Sequence, residues 1–413
     1  MLRMIETFSG IGSQSQALKN IGADHEIVAI AEWDINALYA YDIMHNGMQD
    51  LKPLRHHTKE SLISEILKYN LSGDGKKPLT ENALRSMSTF QLKSILTAIK
   101  RCNNLVDISK VHAQDLPTAD ILTYSFPCQD LSISGHWHSN SGGIERDAKN
   151  RSTLLWEIER ILKEHVAADK QLPKYLVMEN VSNILSKKHI HNFNEFKHFL
   201  EGLGYVNQVY TLDARNFGVP QSRIRTFMLS VLSEKIDKRQ IEDYFFDNNL
   251  EQFKCSETQN LSEYLKLDYS IGKYRNEAID STPTFTESRK KIYENNVILA
   301  NGSKLNMNQF AKTITTKQDR HPNSGIIGYD TDTYLTERNK YYRNLTPREC
   351  FLLMGFDEDQ FDLLMNNNFE SRKGLNFLST SKLVKMAGNS IVVPVLEKIF
   401  EQIIDIEQTL MNK

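Results

Sequence analysis

Met4-Ile5-Glu6-Thr7-Phe8-Ser9-Gly10-Ile11-Gly12-Ser13 carries a short apolar run straight into a glycine-containing turn. Glycines at such a turn let the main chain approach a ligand closely, and the N-terminus of a following helix favours an electronegative group. Residues 14–20 have helical composition. A second apolar run, Glu26-Ile27-Val28-Ala29-Ile30-Ala31, then ends at Glu32-Trp33-Asp34. Asp120-Ile121-Leu122-Thr123-Tyr124-Ser125 and Lys174-Tyr175-Leu176-Val177-Met178 repeat the pattern. Apolar runs without alternation suit strands covered on both faces. Between the last two runs, Leu154, Leu155, Ile158, Ile161, Leu162 and Val166 recur at helical spacing. Strands alternating with helices predict an α/β fold built on a doubly wound, mostly parallel sheet.

Two regions break this rhythm. Residues 51–106 are rich in Lys, Ser and Asn, with weak helical patterns around 61–69 and 91–101. Residues 237–330 are polar and rich in Asn and Tyr, and an apolar helix-like segment at 391–410 could return to the first domain. For 413 residues, a typical domain size of about 150 predicts two or three domains. The 40% hydrophobic and 25% charged residues exclude a disordered chain. No stretch approaches the roughly 18–20 apolar residues of a membrane span, and Glu6 interrupts the first apolar run, so we expect no signal peptide. Cys102, Cys128, Cys255 and Cys350 lie far apart, without the paired spacing of a zinc site. A reducing cytoplasm is the expected home.

The net charge of −2, taken alone, argues against a nucleic-acid binder. Between 281 and 327, however, seven basic residues (Arg289, Lys290, Lys291, Lys304, Lys312, Lys317, Arg320) face three acidic ones (Glu287, Glu294, Asp319), a local excess of +4. The whole-chain average hides this segment, where Asn, Gln and Thr are also dense enough for base-edge and phosphate contacts.

Four positions could carry chemistry. The turn at Gly10 and Gly12, with Glu32 about 20 positions on, has the arrangement that grips a nucleotide's ribose, although a helix-capping Glu on a structural turn satisfies the same two features. Ser125-Phe126-Pro127-Cys128-Gln129 follows a buried strand, where open α/β sheets bind ligands, and places a thiol for nucleophilic attack. An isolated Cys is also a common core residue. Glu179, leaving the apolar strand in Met178-Glu179-Asn180-Val181, would be partly desolvated and suited to acid catalysis. In Gln221-Ser222-Arg223-Ile224-Arg225, strand alternation predicts Gln221, Arg223 and Arg225 on one face, able to hold an anion or a carbonyl.

Taken in order, these elements resemble the cytosine-C5 DNA methyltransferases, and the resemblance covers almost the whole chain. Phe8-Ser9-Gly10-Ile11-Gly12 resembles that family's first cofactor motif, Glu32-Trp33 the second and Asp107-Ile108 the third. Pro127-Cys128-Gln129 resembles the nucleophile motif, followed by Ser132-Ile133-Ser134-Gly135 of a mobile loop. Arg151-Ser152-Thr153-Leu154 is similar to the fifth motif, Glu179-Asn180-Val181 to the sixth and Gln221-x-Arg223-x-Arg225 to the eighth. The ninth is matched by Arg343-Asn344-Leu345-Thr346-Pro347-Arg348-Glu349-Cys350 and the tenth by Gly388-Asn389-Ser390. Each match alone is weak; nine in this order are specific. Ser13 departs from the pattern, standing where the family usually has another glycine. The 75 positions from Glu32 to Asp107 also make residues 51–106 look like a helical insertion.

The resemblance implies a Rossmann-like fold that binds S-adenosylmethionine, with a smaller target-recognition domain. It implies a catalytic domain over 1–232, target recognition over 233–383 including the ninth motif, and a return to the catalytic domain over 384–413. The Cys128 thiolate would add to carbon 6 of a cytosine flipped out of duplex DNA, activating carbon 5 for methylation. Glu179 would hold the exocyclic amine and ring nitrogen 3, and Arg225, with Arg223 nearby, would support the cytosine carbonyl and the catalytic loop. The cofactor would lie against Phe8, Gly10, Ile11, Gly12, Glu32, Trp33, Asp107, Ile108, Pro127, Leu154, Asn389 and Ser390. Of these, Glu32 would take the ribose, Trp33 would pack on adenine and Asp107 would receive its amine. Gln129, Ser132, Ser134 and Thr313 are the implied DNA contacts, Thr313 through the signature-like Lys312-Thr313-Ile314-Thr315. The expected context is a monomeric modification enzyme in the bacterial cytoplasm, at the nucleoid, with a cognate restriction endonuclease acting separately. A tRNA cytosine methyltransferase and a catalytically inactive DNA-binding homologue are the alternatives. The basic residues Lys52, Arg55, His56, His57, Lys59, Lys76 and Lys77 of the insertion pose either a solvated lobe or a clamp on the DNA backbone.

Overall fold

The computed structural model describes residues 1–127, 144–146, 151–234, 236–256, 260–306, 309–320 and 323–411. Cys128, Gln129, Ser132 and Ser134 therefore lie outside the described residues. The chain forms two compact units, one of Met1–Leu212, Ile224–Phe253 and Val395–Lys413, the other of Asp213–Arg223 and Lys254–Pro394.

The first unit is built on a six-stranded sheet. Its strands are β1 (Leu2–Thr7), β2 (His25–Ala31), β3 (Ile121–Tyr124), β4 (Tyr175–Val181), β5 (Tyr205–Asp213) and, after the two-residue β6 (Gln221–Ser222) of the second unit, β7 (Ile224–Leu232). Their order is β2-β1-β3-β4-β7-β5. β1 pairs in parallel with both β2 and β3, β3 with β4 in parallel, and β4 with β7 antiparallel. This is the doubly wound, mostly parallel sheet that the apolar runs predict. The helix Leu155–Ala167 buries Leu155, Ile158, Ile161 and Leu162 against a core shared with Leu122, Tyr124, Leu176, Met178 and Phe196. Because the chain leaves β1 toward β2 and returns on its other side as β3, the sheet switches direction at β1 and β3, where such folds open a ligand crevice at the carboxyl ends.

Residues 51–106 form three capped helices, Lys59–Ile66, Glu81–Arg85 and Thr89–Arg101, with Thr58, Thr80 and Ser88 accepting the first-turn N–H groups. Leu62, Ile63, Ile66, Leu92, Ile95 and Ile99 are buried, so the segment has an apolar interior.

The second unit contains a four-stranded sheet of β8 (Ile298–Asn301), β9 (Lys304–Leu305), β11 (Ile326–Gly328) and β12 (Tyr342–Asn344), in the order β12-β11-β8-β9. A separate parallel pairing joins β10 (Ala311–Lys312) to β6. Within β12 the fully buried Arg343 makes a two-pronged ion pair with the fully buried Glu349, each contact 2.8 Å. Glu349 also accepts the Thr346 N–H at 2.8 Å, closing a capping box at the start of the helix Pro347–Leu352.

The units part at different residues from those expected at 232 and 384. Asp213–Arg223 goes with the second unit because β6 pairs there and the Gln221 side chain accepts the Ile314 N–H at 2.9 Å. Residues 233–253 stay with the first, where the helix Lys238–Asp247 buries Ile241 and Phe245 and Tyr244 donates to Asp405. The helix Thr380–Asn389 belongs to the second unit, and the return comes at Val395.

Candidate active site

The crevice at the switch begins with the turn after β1. Phe8 has φ +56°, which ends the strand one residue earlier than its apolar run suggests, and Gly10 and Gly12 follow at +56° and +81°. The two glycines differ in kind. A Cβ on Gly12 would lie 2.2 Å from His45 Nε2 and 2.7 Å from the Tyr41 ring, whereas one on Gly10 would meet nothing within 4 Å among the described residues. Packing thus requires Gly12, while Gly10 borders open space. His45 Nε2 bonds the Ile11 carbonyl at 2.9 Å, and Tyr41 donates to the buried Glu6 carboxyl at 2.9 Å. Burial raises Glu6 to about 8 and depresses His45 to about 4, so both are neutral around pH 7.

Glu32 follows β2 directly. Its carboxylate accepts the Gly10 N–H at 2.9 Å and the Asp34 N–H at 2.7 Å, tying the first turn to the second. Asn104 brackets the Glu32 main chain, donating to its carbonyl (2.8 Å) and accepting its N–H (3.0 Å). Three residues on, Asp107 accepts the Ser109 N–H (3.0 Å) and hydroxyl (2.7 Å) on one oxygen and the Asn70 amide on the other. Trp33 and Asp107 are half-buried and Ile108 is buried.

Beyond β3, the Ser125 hydroxyl donates to the Phe8 carbonyl at 3.4 Å, joining the two turns of the crevice. The main chain entering Cys128 is held from both sides. Asn180 donates to the Phe126 carbonyl at 3.1 Å and Ser152 to the Pro127 carbonyl at 2.9 Å. Leu154 ends the short turn Arg151–Leu154 and packs on the core. Glu179 lies near the carboxyl end of β4, and Arg225 Nε pairs with its Oε1 at 3.3 Å. The β4–β7 register, which sets Val181 opposite Arg225, makes that reach possible.

The strand expected through 221–225 is interrupted at Arg223: Gln221 and Arg223 both bond the Ile314 main chain, whereas Arg225 reaches Glu179. Arg223 is buried and donates to the carbonyls of Ile314 (2.8 Å), Gly388 (3.1 Å) and Ser390 (2.7 Å). Its guanidinium holds together main-chain segments of the second unit, which accounts for it without a substrate carbonyl. Thr313 donates to the Ser222 carbonyl at 2.8 Å, Asn389 is exposed, and Ser390 is buried. Gly388 packs so closely on the Thr315 main chain that a Cβ would lie 2.4 Å from its carbonyl carbon. Asn70, Asn104, Asn180 and Ser152 act as anchors through single side-chain bonds that no motif or period marks, apart from the Asn103-Asn104 pair shortly before Asp107.

The carboxylate–guanidinium pair of Glu179 and Arg225 thus lies by the carboxyl end of β4, the side on which doubly wound Rossmann-like sheets bind their ligands. Residues 80–405 match the C-5 cytosine-specific DNA methylase family, and the chain belongs to it. The chain is 34% identical to the type II methyltransferase M2.ScrFI of Lactococcus lactis subsp. cremoris, over 98% of this chain and 99% of that protein. It is 33% identical to the orphan methyltransferase M.SssI of Spiroplasma monobiae, over 97% of each. Its fold is similar to that of the S. pombe Dnmt2 methyltransferase, with a TM-score of 0.58 at 18% identity over 98% of both chains. No described helix is long and apolar enough to cross a membrane.

Proposed function

We propose that the chain methylates carbon 5 of cytosine within a short specific site of double-stranded DNA, using Cys128 as nucleophile and S-adenosylmethionine as methyl donor. The observation that carries this reading is the Glu179–Arg225 pair at 3.3 Å, in a chain whose family match spans residues 80–405. The Cys128 thiolate adds to carbon 6 of the flipped base, and the bond electrons gained by the ring make carbon 5 nucleophilic. Glu179 holds a proton at ring nitrogen 3 and accepts from the exocyclic amine. Arg225 neutralises that carboxylate and reaches the base carbonyl, while Arg223 braces main-chain segments nearby in sequence to Thr313 and Asn389. Once carbon 5 carries the methyl group, water acting as base takes the carbon 5 proton, the carbon 5–carbon 6 double bond re-forms, and the Cys128 thiolate leaves.

The crevice fits the cofactor. Open space over Gly10 admits a ligand against the main chain, and the buried Ser9 hydroxyl has no hydrogen-bond partner among the described residues. Phe8, Gly10 and Ile11 would border the ligand, with Glu32 on the ribose, Trp33 on the adenine face, and Asp107 and Ile108 at the adenine edge. Pro127 and Leu154 complete the set proposed on the first unit, and Gly12 supports the turn. When bound, S-adenosylmethionine supplies the electrophilic methyl group.

The second unit is the proposed target-reading domain, with Thr313 near the DNA, and Gln129, Ser132 and Ser134, which belong to the first stretch of chain, are the other proposed contacts. Modification within a restriction–modification system, as a monomer in the bacterial cytoplasm, is the proposed setting. Incubation with labelled methyl donor and either duplex DNA or tRNA tests the substrate: we expect label in DNA, and transfer to tRNA alone overturns the reading. Bisulfite sequencing of DNA from expressing cells then names the site.

A further inference from the structure

A stretch of the 51–106 segment is built into the end of β2. The Ser72 N–H donates to the Trp33 carbonyl at 2.7 Å, and the Ser72 carbonyl accepts the Ile35 N–H at 2.9 Å, a parallel bridge around Asp34. The Gly73 carbonyl accepts from the Asn36 side chain at 3.0 Å. Leu71 and Ser72 are buried, so these bonds are shielded from water. Two residues before Ser72, the Asn70 amide donates to Asp107 Oδ2. One short peptide thus carries both the Trp33 main chain and the Asp107 carboxylate.

A carboxylate offers about four lone-pair positions. At Asp107, Ser109 occupies Oδ1 with two donors and Asn70 occupies Oδ2 with one. The position left on Oδ2 can accept a donor and repels an acceptor. We infer that Asn70 is a positioning residue for the cofactor: it orients Asp107 so that the remaining lone pair selects a 6-aminopurine over a 6-oxopurine. The inference rests on the proposed placement of adenine at Asp107. It gives the 51–106 segment a role in cofactor selection rather than in gripping DNA. A site built to pair with an N–H group discriminates strongly against an analogue that lacks it.

Calorimetric titration of the full chain with S-adenosylhomocysteine and S-inosylhomocysteine tests this. The wild type prefers the adenosyl ligand. Asn70→Leu, similar in size but without a donor, is expected to lose about tenfold in adenosyl affinity while inosyl affinity stays within about twofold. Asn70→Ser, too short to reach Asp107, gives the same result if the leucine variant does not fold. Equal weakening toward both ligands means a merely structural role and overturns the inference. If Asp107→Asn abolishes the preference but both Asn70 variants keep it, Asn70 alone is misassigned. If Asp107→Asn leaves the preference intact, the placement of adenine fails, and the inference with it.

Discussion

The hydroxyl of Ser152 donates to the carbonyl of Pro127 at 2.9 Å, fastening the peptide that leads into Cys128 to the turn that opens the next helix. Because Ser152 is fully buried, water cannot replace this bond. Small errors in the placement of a nucleophile are costly in rate. Ser152→Ala is therefore expected to lower single-turnover methyl transfer by about tenfold or more with cofactor affinity unchanged. Parallel loss of both would mean that Ser152 supports the cofactor turn instead.

Cys128→Ser should abolish turnover and leave cofactor binding largely intact. A duplex with 5-fluorocytosine at the target, which cannot shed a proton from carbon 5, should trap the wild type as a covalent adduct. Glu179→Gln keeps the shape of the side chain but weakens proton holding, with an expected rate loss of about 10²-fold or more. Absence of adduct in the wild type would favour the inactive-homologue reading.

Glu6 and His45 predict how stability follows pH. Glu6, raised from 4.5 to about 8, keeps a proton in the folded chain that the unfolded chain has already released. Stability from this group is complete below about pH 4.5 and falls as pH rises toward 8, by up to about 1.4 kcal/mol per unit. His45, lowered from 6.5 to about 4, acts in reverse, because the unfolded chain gains a proton first as pH falls. The two oppose each other between 4.5 and 6.5, and Glu6 alone acts between 6.5 and 8. Thermal melts should decline across that upper window in the wild type and much less in Glu6→Gln. Parallel slopes would show that the Glu6 carboxyl is not neutral in the fold.

The Arg343–Glu349 pair is fully buried, so removing one partner strands the other charge. Arg343→Met or Glu349→Gln is expected to cost about 3–5 kcal/mol in denaturant unfolding. Replacing both with apolar residues should recover much of that loss. A single variant of wild-type stability would contradict this account.

If Lys52, Arg55, Lys76 and Lys77, all exposed, touch DNA phosphates, neutralising the four should flatten the slope of log affinity against log salt by about 0.9 per lost contact. An unchanged slope assigns these charges to solvent.

The strands of the parallel sheet were legible because burial on both faces writes continuous apolar runs: 26–31 and 174–178 differ from β2 and β4 only at their ends. Helical spacing likewise located Leu155–Ala167 and Thr89–Arg101. The candidate site stands out where it rests on rare residue types in fixed order, as at Gly10, Glu32 and Glu179, and the structure sets Glu32 on the Gly10 N–H and Glu179 on Arg225. What stayed hidden depends on single side-chain bonds across long separations. Asn70 reaches Asp107 over 37 positions and Asn180 reaches Phe126 over 54, and neither leaves a period or composition behind. The alternation rule says nothing of the partners Arg223 takes, because it assumes an unbroken strand. There the chain instead passes from one compact unit to the other, and the arginine takes the carbonyls nearest to it.

Val393–Ile406 sets a constraint on how the chain is made. Its buried Ile399, Phe400, Ile403 and Ile406 belong to the unit that Met1–Leu212 begins, yet Lys254–Pro394 is translated in between. At roughly 5–20 residues per second, that interval lasts on the order of ten seconds. Throughout it a nascent chain holds the early sheet with its last helix still unsynthesised. Until then the side chains that pack on Ile399, Phe400, Ile403 and Ile406 lack that cover, and transiently exposed apolar surface of this kind is what chaperones act on.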